Sequence, residues 1–160
     1  MTTVKIPLTF IDLHGDGYHI KIRVEINHIP AQLILDTGAS TSVFDRESFA
    51  KIHPELVIRN SDQLTTGLGT NSMLSYKTTI PLLSIGSIQI LNLETALLDL
   101  SHINAAYSKI SHGPIIGVLG NDILVSHKAI IDYPQKLLFI EEPEKIPGLI
   151  NKILTLLFGK

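Results

Sequence analysis

The sequence predicts a mainly β protein with short helices, and three observations carry that expectation. Tyr18, Ile20, Ile22, Val24 and Ile26 alternate with His19, Lys21, Arg23 and Glu25, the period of two that marks a half-buried strand. Long β-prone runs cover residues 4–11, 77–84 and 87–98, each next to turn-forming residues. Helical signals are confined to short segments and to the tail.

Length and composition set the frame. A chain of 160 residues defaults to one domain and is long enough to bury a core without staples. An apolar fraction of 44% against a charged fraction of 18% argues for a folded globular chain. The formal net charge is −2 and no basic stripe is visible, so no nucleic-acid partner is expected. With no cysteine, disulfides and thiolate metal sites are excluded. Residues 1–10 lack the basic start and long apolar core of a signal peptide. No stretch reaches the roughly 18–20 apolar residues of a membrane span. The expected location is therefore cytoplasmic.

In chain order, residues 4–11 form a first, outer strand. The segment 12–17 holds turn chemistry, with Gly15 and Gly17 free to take positive φ. The alternating strand follows. Asn27, His28, Ile29 and Pro30 then turn the chain into an apolar run, Leu33-Ile34-Leu35, which reads as a buried strand and completes a hairpin. Val43 and Phe44 make a brief extended piece. Asp45 is placed as the N-cap of a short helix opened by Ser48, Phe49 and Ile52, which Pro54 ends. The polar stretch 63–76 centres on Gly67 and Gly69 between β-prone flanks. It suits a hairpin with a mobile tip, or a plain solvated turn. Two strands split at Ile85-Gly86-Ser87 come next, then a capped helical segment from Asp99 to about Lys109 and a loop at 111–114. Val118-Leu119-Gly120 ends a strand, and Asn121-Asp122-Ile123-Leu124 continues it as a helix. A final hairpin pairs residues 128–133 with 136–140 across Pro134-Gln135.

The tail changes character. Residues 141–144 read as a linker, after which Leu149, Ile150, Ile153, Leu154, Leu156 and Leu157 fall mostly on one helical face. The expected division is a domain over 1–141 and a linker with a C-terminal helix packed on it over 142–160. A subunit contact or a membrane-surface anchor are the other uses of such a helix. With only three lysines after the linker and no Trp, the anchor is poorly supported.

Chemistry concentrates where the apolar run meets Asp36-Thr37-Gly38-Ala39-Ser40-Thr41-Ser42. An acid at the inner end of an apolar strand is costly unless it is paired, hydrogen-bonded or used. Thr37, Ser40, Thr41 and Ser42 supply hydroxyls and backbone N–H groups able to hold it. The same residues also suit a helix cap or an Asx-turn. Seven histidines (14, 19, 28, 53, 102, 112 and 127) show no metal-ligand spacing and read as surface or loop residues; no metal and no cofactor are expected. There is no Gly-x-x-x-x-Gly-Lys loop and no Gly-x-Ser-x-Gly elbow.

Asp36-Thr37-Gly38-Ala39-Ser40, the glycine-rich stretch after it and Val118-Leu119-Gly120 together resemble the single-domain, retroviral-type (retropepsin-like) aspartic proteases, notably their bacterial members. The resemblance covers about residues 20–140. It implies a closed β-barrel of the retropepsin-like acid protease type. It implies that Asp36, Thr37 and Gly38 are catalytic: Asp36 activates water, Thr37 locks two loops together, and Gly38 lies where substrate backbone runs. Ala39, Ser40 and Val118 would line the site, with Gly67, Leu68 and Gly69 closing over it as a flap. Peptide hydrolysis by this chemistry needs two carboxylates sharing a proton, one acting as base and the other as acid. A second Asp-Thr/Ser-Gly is absent, because Asp99-Leu-Ser, Asp122-Ile-Leu and Asp132-Tyr-Pro all fail the pattern. The implied enzyme is therefore a homodimer acting on a peptide or protein substrate, with Asp36 contributed by each copy across a two-fold axis. A catalytically inactive relative that binds a peptide or protein in the same groove is the alternative.

Two residues depart from the retroviral pattern. Ser40 stands where many such enzymes carry an acid, and Asn121 stands where an Arg often follows the apolar-apolar-Gly element. Retroviral chains also usually end in a strand given to a shared sheet, whereas a helix is expected here. The dimer is accordingly expected to be built differently or to be weak.

Overall fold

A computed structural model describes residues 2–60, 65–67, 70–73, 76–110 and 113–142, with backbone alone at 60, 65–67 and 70–73. Strand β1 (Thr3–Asp12) and strand β2 (Tyr18–Ile26) pair antiparallel, Phe10 opposite Ile20. The turn between them passes through Gly15 and Gly17 at φ +98° and +113°. Ile20, Ile22, Val24 and Ile26 are all buried, as their alternation requires.

Strand β3 (Ile29–Leu35) starts earlier than proline chemistry suggests. Ile26 pairs directly with Ile29, so the turn is only Asn27 and His28, at φ +47° and +68°. Two central residues at positive φ match the twist of a two-residue hairpin, and Pro30 falls into the strand opposite Glu25. Strand β4 (Val43–Asp45) leads into helix α1 (Arg46–Ile52). Asp45 caps that helix: its Oδ2 accepts from Ser48 N at 2.9 Å, while Oδ1 accepts from the distant Leu100 N at 2.9 Å.

Strand β5 (Arg59–Asn60) is short. Strands β6 (Thr65–Gly67) and β7 (Thr70–Met73) form their own two-stranded sheet, which is the hairpin expected over this stretch. Gly67 ends β6; Leu68 and Gly69 lie outside the described residues. Strands β8 (Tyr76–Ile85) and β9 (Ile88–Leu98) make the longest hairpin, turning on Gly86 at φ +60°. Helix α2 (Ser101–Lys109), strand β10 (Gly117–Leu119), helix α3 (Asn121–Ser126) and the hairpin of β11 (Ile130–Asp132) with β12 (Leu137–Glu141) complete the chain. Strand β11 is shorter than expected because α3 unwinds through His127 and Lys128, the latter at φ +48°. The expected C-terminal helix lies outside the described residues.

Six strands close into a barrel in the ring order β2-β3-β10-β4-β9-β8, with β8 pairing back to β2 at Glu25–Ser84 and Ile26–Leu83. Strand β1 runs off this ring to pair with β12, Thr3 opposite Glu141. The barrel is filled by apolar side chains, among them Ile22, Leu33, Phe44, Ile80, Leu83, Leu97 and Leu119. Two histidines are buried rather than on the surface: His53 packs its ring 5.2 Å from Phe49, and His127 Nδ1 lies 2.9 Å from the Glu141 carbonyl. Both close the ends of helices, where the chain turns back into the core.

Strand β10 is the keystone. It runs parallel to β3 and antiparallel to β4, between the two strands that flank the Asp36 loop. Its first residue has no room for a side chain. A Cβ on Gly117 would lie 2.3 Å from the Val43 carbonyl oxygen and 3.0 Å from Phe44 Cα, both backbone atoms. Gly117→Ala is expected to cost about 1–3 kcal/mol and lower Tm by roughly 3–10 °C, measured by thermal unfolding.

Candidate active site

The residues that form the site are held from two directions. Leu35 is buried at the end of β3, and Asp36 emerges half-buried from it. The Asp36 N–H donates to the Leu119 carbonyl at 3.0 Å, so the last residue of β10 fixes where the acid begins. Its Oδ1 accepts from Gly38 N at 2.7 Å, and Ala39 N donates to the Asp36 carbonyl at 3.2 Å. This is the Asx-turn geometry that the sequence allowed, built around an acid that remains partly exposed. Gly38 has little space for substitution, since a Cβ there would sit 3.1 Å from that same Oδ1.

The start of α3 grips the loop from the other side. Asn121 N donates to the Ala39 carbonyl at 2.9 Å, and Asp122 N to the Ser40 carbonyl at 3.1 Å. The Asn121 Nδ2 donates to the Thr37 carbonyl at 2.7 Å. Asp122 Oδ1 accepts from Ser42 N at 2.9 Å, Ser42 Oγ at 2.8 Å and Ile123 N at 2.9 Å. Ser42 Oγ in turn accepts from Gly120 N at 3.0 Å. Gly120 makes this crossing possible: a Cβ there would lie 2.6 Å from the Thr41 carbonyl carbon. Charge-assisted bonds of this kind are about twice as strong as neutral ones, so the loop is held firmly in one shape.

Asp36, Thr37, Gly38, Ala39 and Ser40 thus form one continuous loop, with Thr37, Gly38 and Ser40 exposed and Ala39 half-buried. Val118 joins it from below, half-buried in β10 between Ile34 and Val43. Gly67 belongs to the separate two-stranded sheet. A groove of about 650 Å³ opens beside the loop, from Thr41, Ser42 and Asp122 across Thr95 to Lys77 and Glu94. Among the described residues no three His, Asp or Glu side chains converge as a metal site would need.

Several residues of the site were not singled out from sequence as site residues. Asn121 was noted only as a departure from the retroviral pattern, and Asp122 only as part of a helix opening. Tyr107, on α2, is buried beside Ile11, Ile34 and Ile115, and its hydroxyl lies 2.6 Å from His19 Nδ1. Burial, and then the charge of Asp36, push the Tyr107 phenol up to about 12. The His19 position was legible, because it follows the alternation of β2 one residue before Ile20, the partner of Leu35. The buried aromatic facing it from α2 was not, since only the tertiary fold brings it there.

The six-stranded barrel, with its Asp-Thr-Gly loop braced by an apolar-apolar-Gly strand, has the architecture that the resemblance implied. The fold is similar to that of a retropepsin-like aspartic protease from Rickettsia conorii, with a TM-score of 0.52 at 22% identity over 88% of this chain and 91% of that one. It is also similar to the EIAV protease complexed with the inhibitor HBY-793, with a TM-score of 0.53 at 20% identity over 76% of this chain and 99% of that one. No curated protein sequence matches the chain. The family profile described as "Aspartyl protease" matches residues 22–123, and the chain belongs to that family.

Proposed function

We propose that the protein is an aspartic endopeptidase that works as a homodimer, with Asp36 of each copy meeting across a two-fold axis. The observation that carries this reading is the Asp36 loop itself: a half-exposed acid, held through Oδ1 by Gly38 N, in a loop that α3 and β10 fix from behind. Such a loop presents one carboxylate, and a lone carboxylate cannot take a proton and give one in the same step. Two copies facing each other supply both roles.

In this mechanism one Asp36 takes a proton from water, whose oxygen adds to the scissile carbonyl carbon. The partner's Asp36 gives its proton to the carbonyl oxygen. Collapse of the tetrahedral intermediate breaks the C–N bond, and a proton passes to the leaving amine. An extended peptide would cross the backbone of Gly38, with Ala39, Ser40 and Val118 beside it and Gly67 to Gly69 closing over it. Thr37 would lock the two loops together. One acid must hold a proton at the start of each cycle, so activity is expected to be higher in mildly acidic than in alkaline solution. Among the described residues no helix is long and apolar enough to cross a membrane.

Sedimentation across a concentration series, run beside cleavage of unstructured peptides, tests the proposal. Activity per chain should rise with concentration in step with the dimer fraction. A chain that stays monomeric throughout and leaves peptides whole would instead be a groove-binding relative without catalysis.

A further inference from the structure

Asn121 opens α3 directly after Gly120, and its side chain is aimed at the Asp36 loop. Its Nδ2 donates to the Thr37 carbonyl at 2.7 Å. Gly38 N, which donates to Asp36 Oδ1 at 2.7 Å, belongs to the same peptide group as that carbonyl. A trans peptide is planar, with its C=O and N–H pointing in opposite directions. Pinning the oxygen therefore sets the direction of the hydrogen that holds the acid. A carbonyl that accepts a hydrogen bond also polarises its own N–H and strengthens the bond beyond it. The relay runs from the Asn121 amide, through the Thr37–Gly38 peptide, to the Asp36 carboxylate. Asn121 is itself anchored by its N–H to the Ala39 carbonyl at 2.9 Å.

We propose that Asn121 is a positioning residue for the catalytic acid, orienting the Asp36 carboxylate through the Thr37–Gly38 peptide plane. It takes no part in bond making. In the role of a catalytic residue, Asp36 rests on the function proposed above; the orientation of its carboxylate does not. A neutral amide suits the task because it donates to the carbonyl without adding charge beside two acids that must share one proton.

The test uses the full chain with two substitutions and two readouts. Asn121→Leu removes the donor at every pH and should lower kcat about tenfold or more with KM within about twofold, because the acid is present but misaimed. Asn121→Asp is nearly isosteric. Its carboxyl can donate to the Thr37 carbonyl only while protonated, and when ionised it repels that oxygen. The ratio of its kcat to wild type should therefore fall about tenfold as pH rises through the aspartic acid range around 4, whereas the Asn121→Leu ratio stays flat. An acid at the start of a helix is well tolerated, so Asn121→Asp is expected to fold.

The second readout needs no turnover. The Gly38 amide proton resonance should move upfield in Asn121→Leu, as the bond to Asp36 loosens. In Asn121→Asp it should be close to wild type in acid and should move upfield as pH rises. A Gly38 resonance unchanged in both variants, or wild-type kcat in Asn121→Leu, would overturn the proposal. If Gly38 responds as expected while the wild-type protein cleaves nothing, the positioning role stands and the endopeptidase reading is the one that fails.

Discussion

Asp36→Asn is expected to lower kcat for peptide cleavage by about 10²–10⁴-fold while leaving the fold and Tm in place. The two halves of that expectation have separate physical causes. The amide keeps an oxygen at the Oδ1 position, so the 2.7 Å bond from Gly38 N survives and the loop keeps its shape. The braces behind the loop, from Leu119, Asn121 and Asp122, do not involve the Asp36 side chain. What the amide lacks is a titratable proton: it can neither take one from water nor hold one for the carbonyl oxygen. In a homodimer both members of the pair are replaced at once, so no residual acid remains to work alone. Kinetics on purified protein, with circular dichroism to confirm the fold, checks both halves. Wild-type turnover in this variant would remove Asp36 from the chemistry altogether.

The local parts of this structure were legible in the sequence because their causes are local. The alternation from Ile20 to Ile26 forced one face of β2 inward whatever that face met, although Tyr18, at the strand's first position beside the turn, stays exposed. Asp45 three residues before Ser48 was enough to place a helix cap. The Asp36 loop stood out because an acid, a glycine and four hydroxyl residues follow a buried apolar run. The resemblance then supplied the barrel, which residue patterns alone did not.

What stayed hidden is contact between residues far apart in sequence. The pairing that closes the barrel, Ile26 with Leu83, carries no mark in either strand beyond being apolar. The second partner of Asp45, Leu100 N, lies 55 residues away, so a residue read as a simple cap also ties α1 to the start of α2. Asn121 and Asp122 fitted a helix start, and they are one; their side chains nevertheless reach Thr37 and Ser42, more than 75 residues earlier, at separations of 84 and 80. The turn read over Asn27 to Pro30 was drawn two residues too long, because Pro30 normally signals a turn. Here a histidine at positive φ does that work, and Pro30 is accommodated within the strand.

A mixing experiment reaches the core of the account: one acid per chain, two chains per site. Wild-type protein is held at fixed concentration, and an equal amount of Asp36→Asn protein is added after both have been allowed to dissociate and reassociate. If each site needs Asp36 from two copies, random pairing in a tight dimer leaves about half of the wild-type chains in dead mixed dimers, and activity falls to about half. A large excess of the variant should drive activity toward zero. Activity that stays constant as the variant is added would mean that each chain cleaves by itself, and the shared site across a two-fold axis would have to be abandoned.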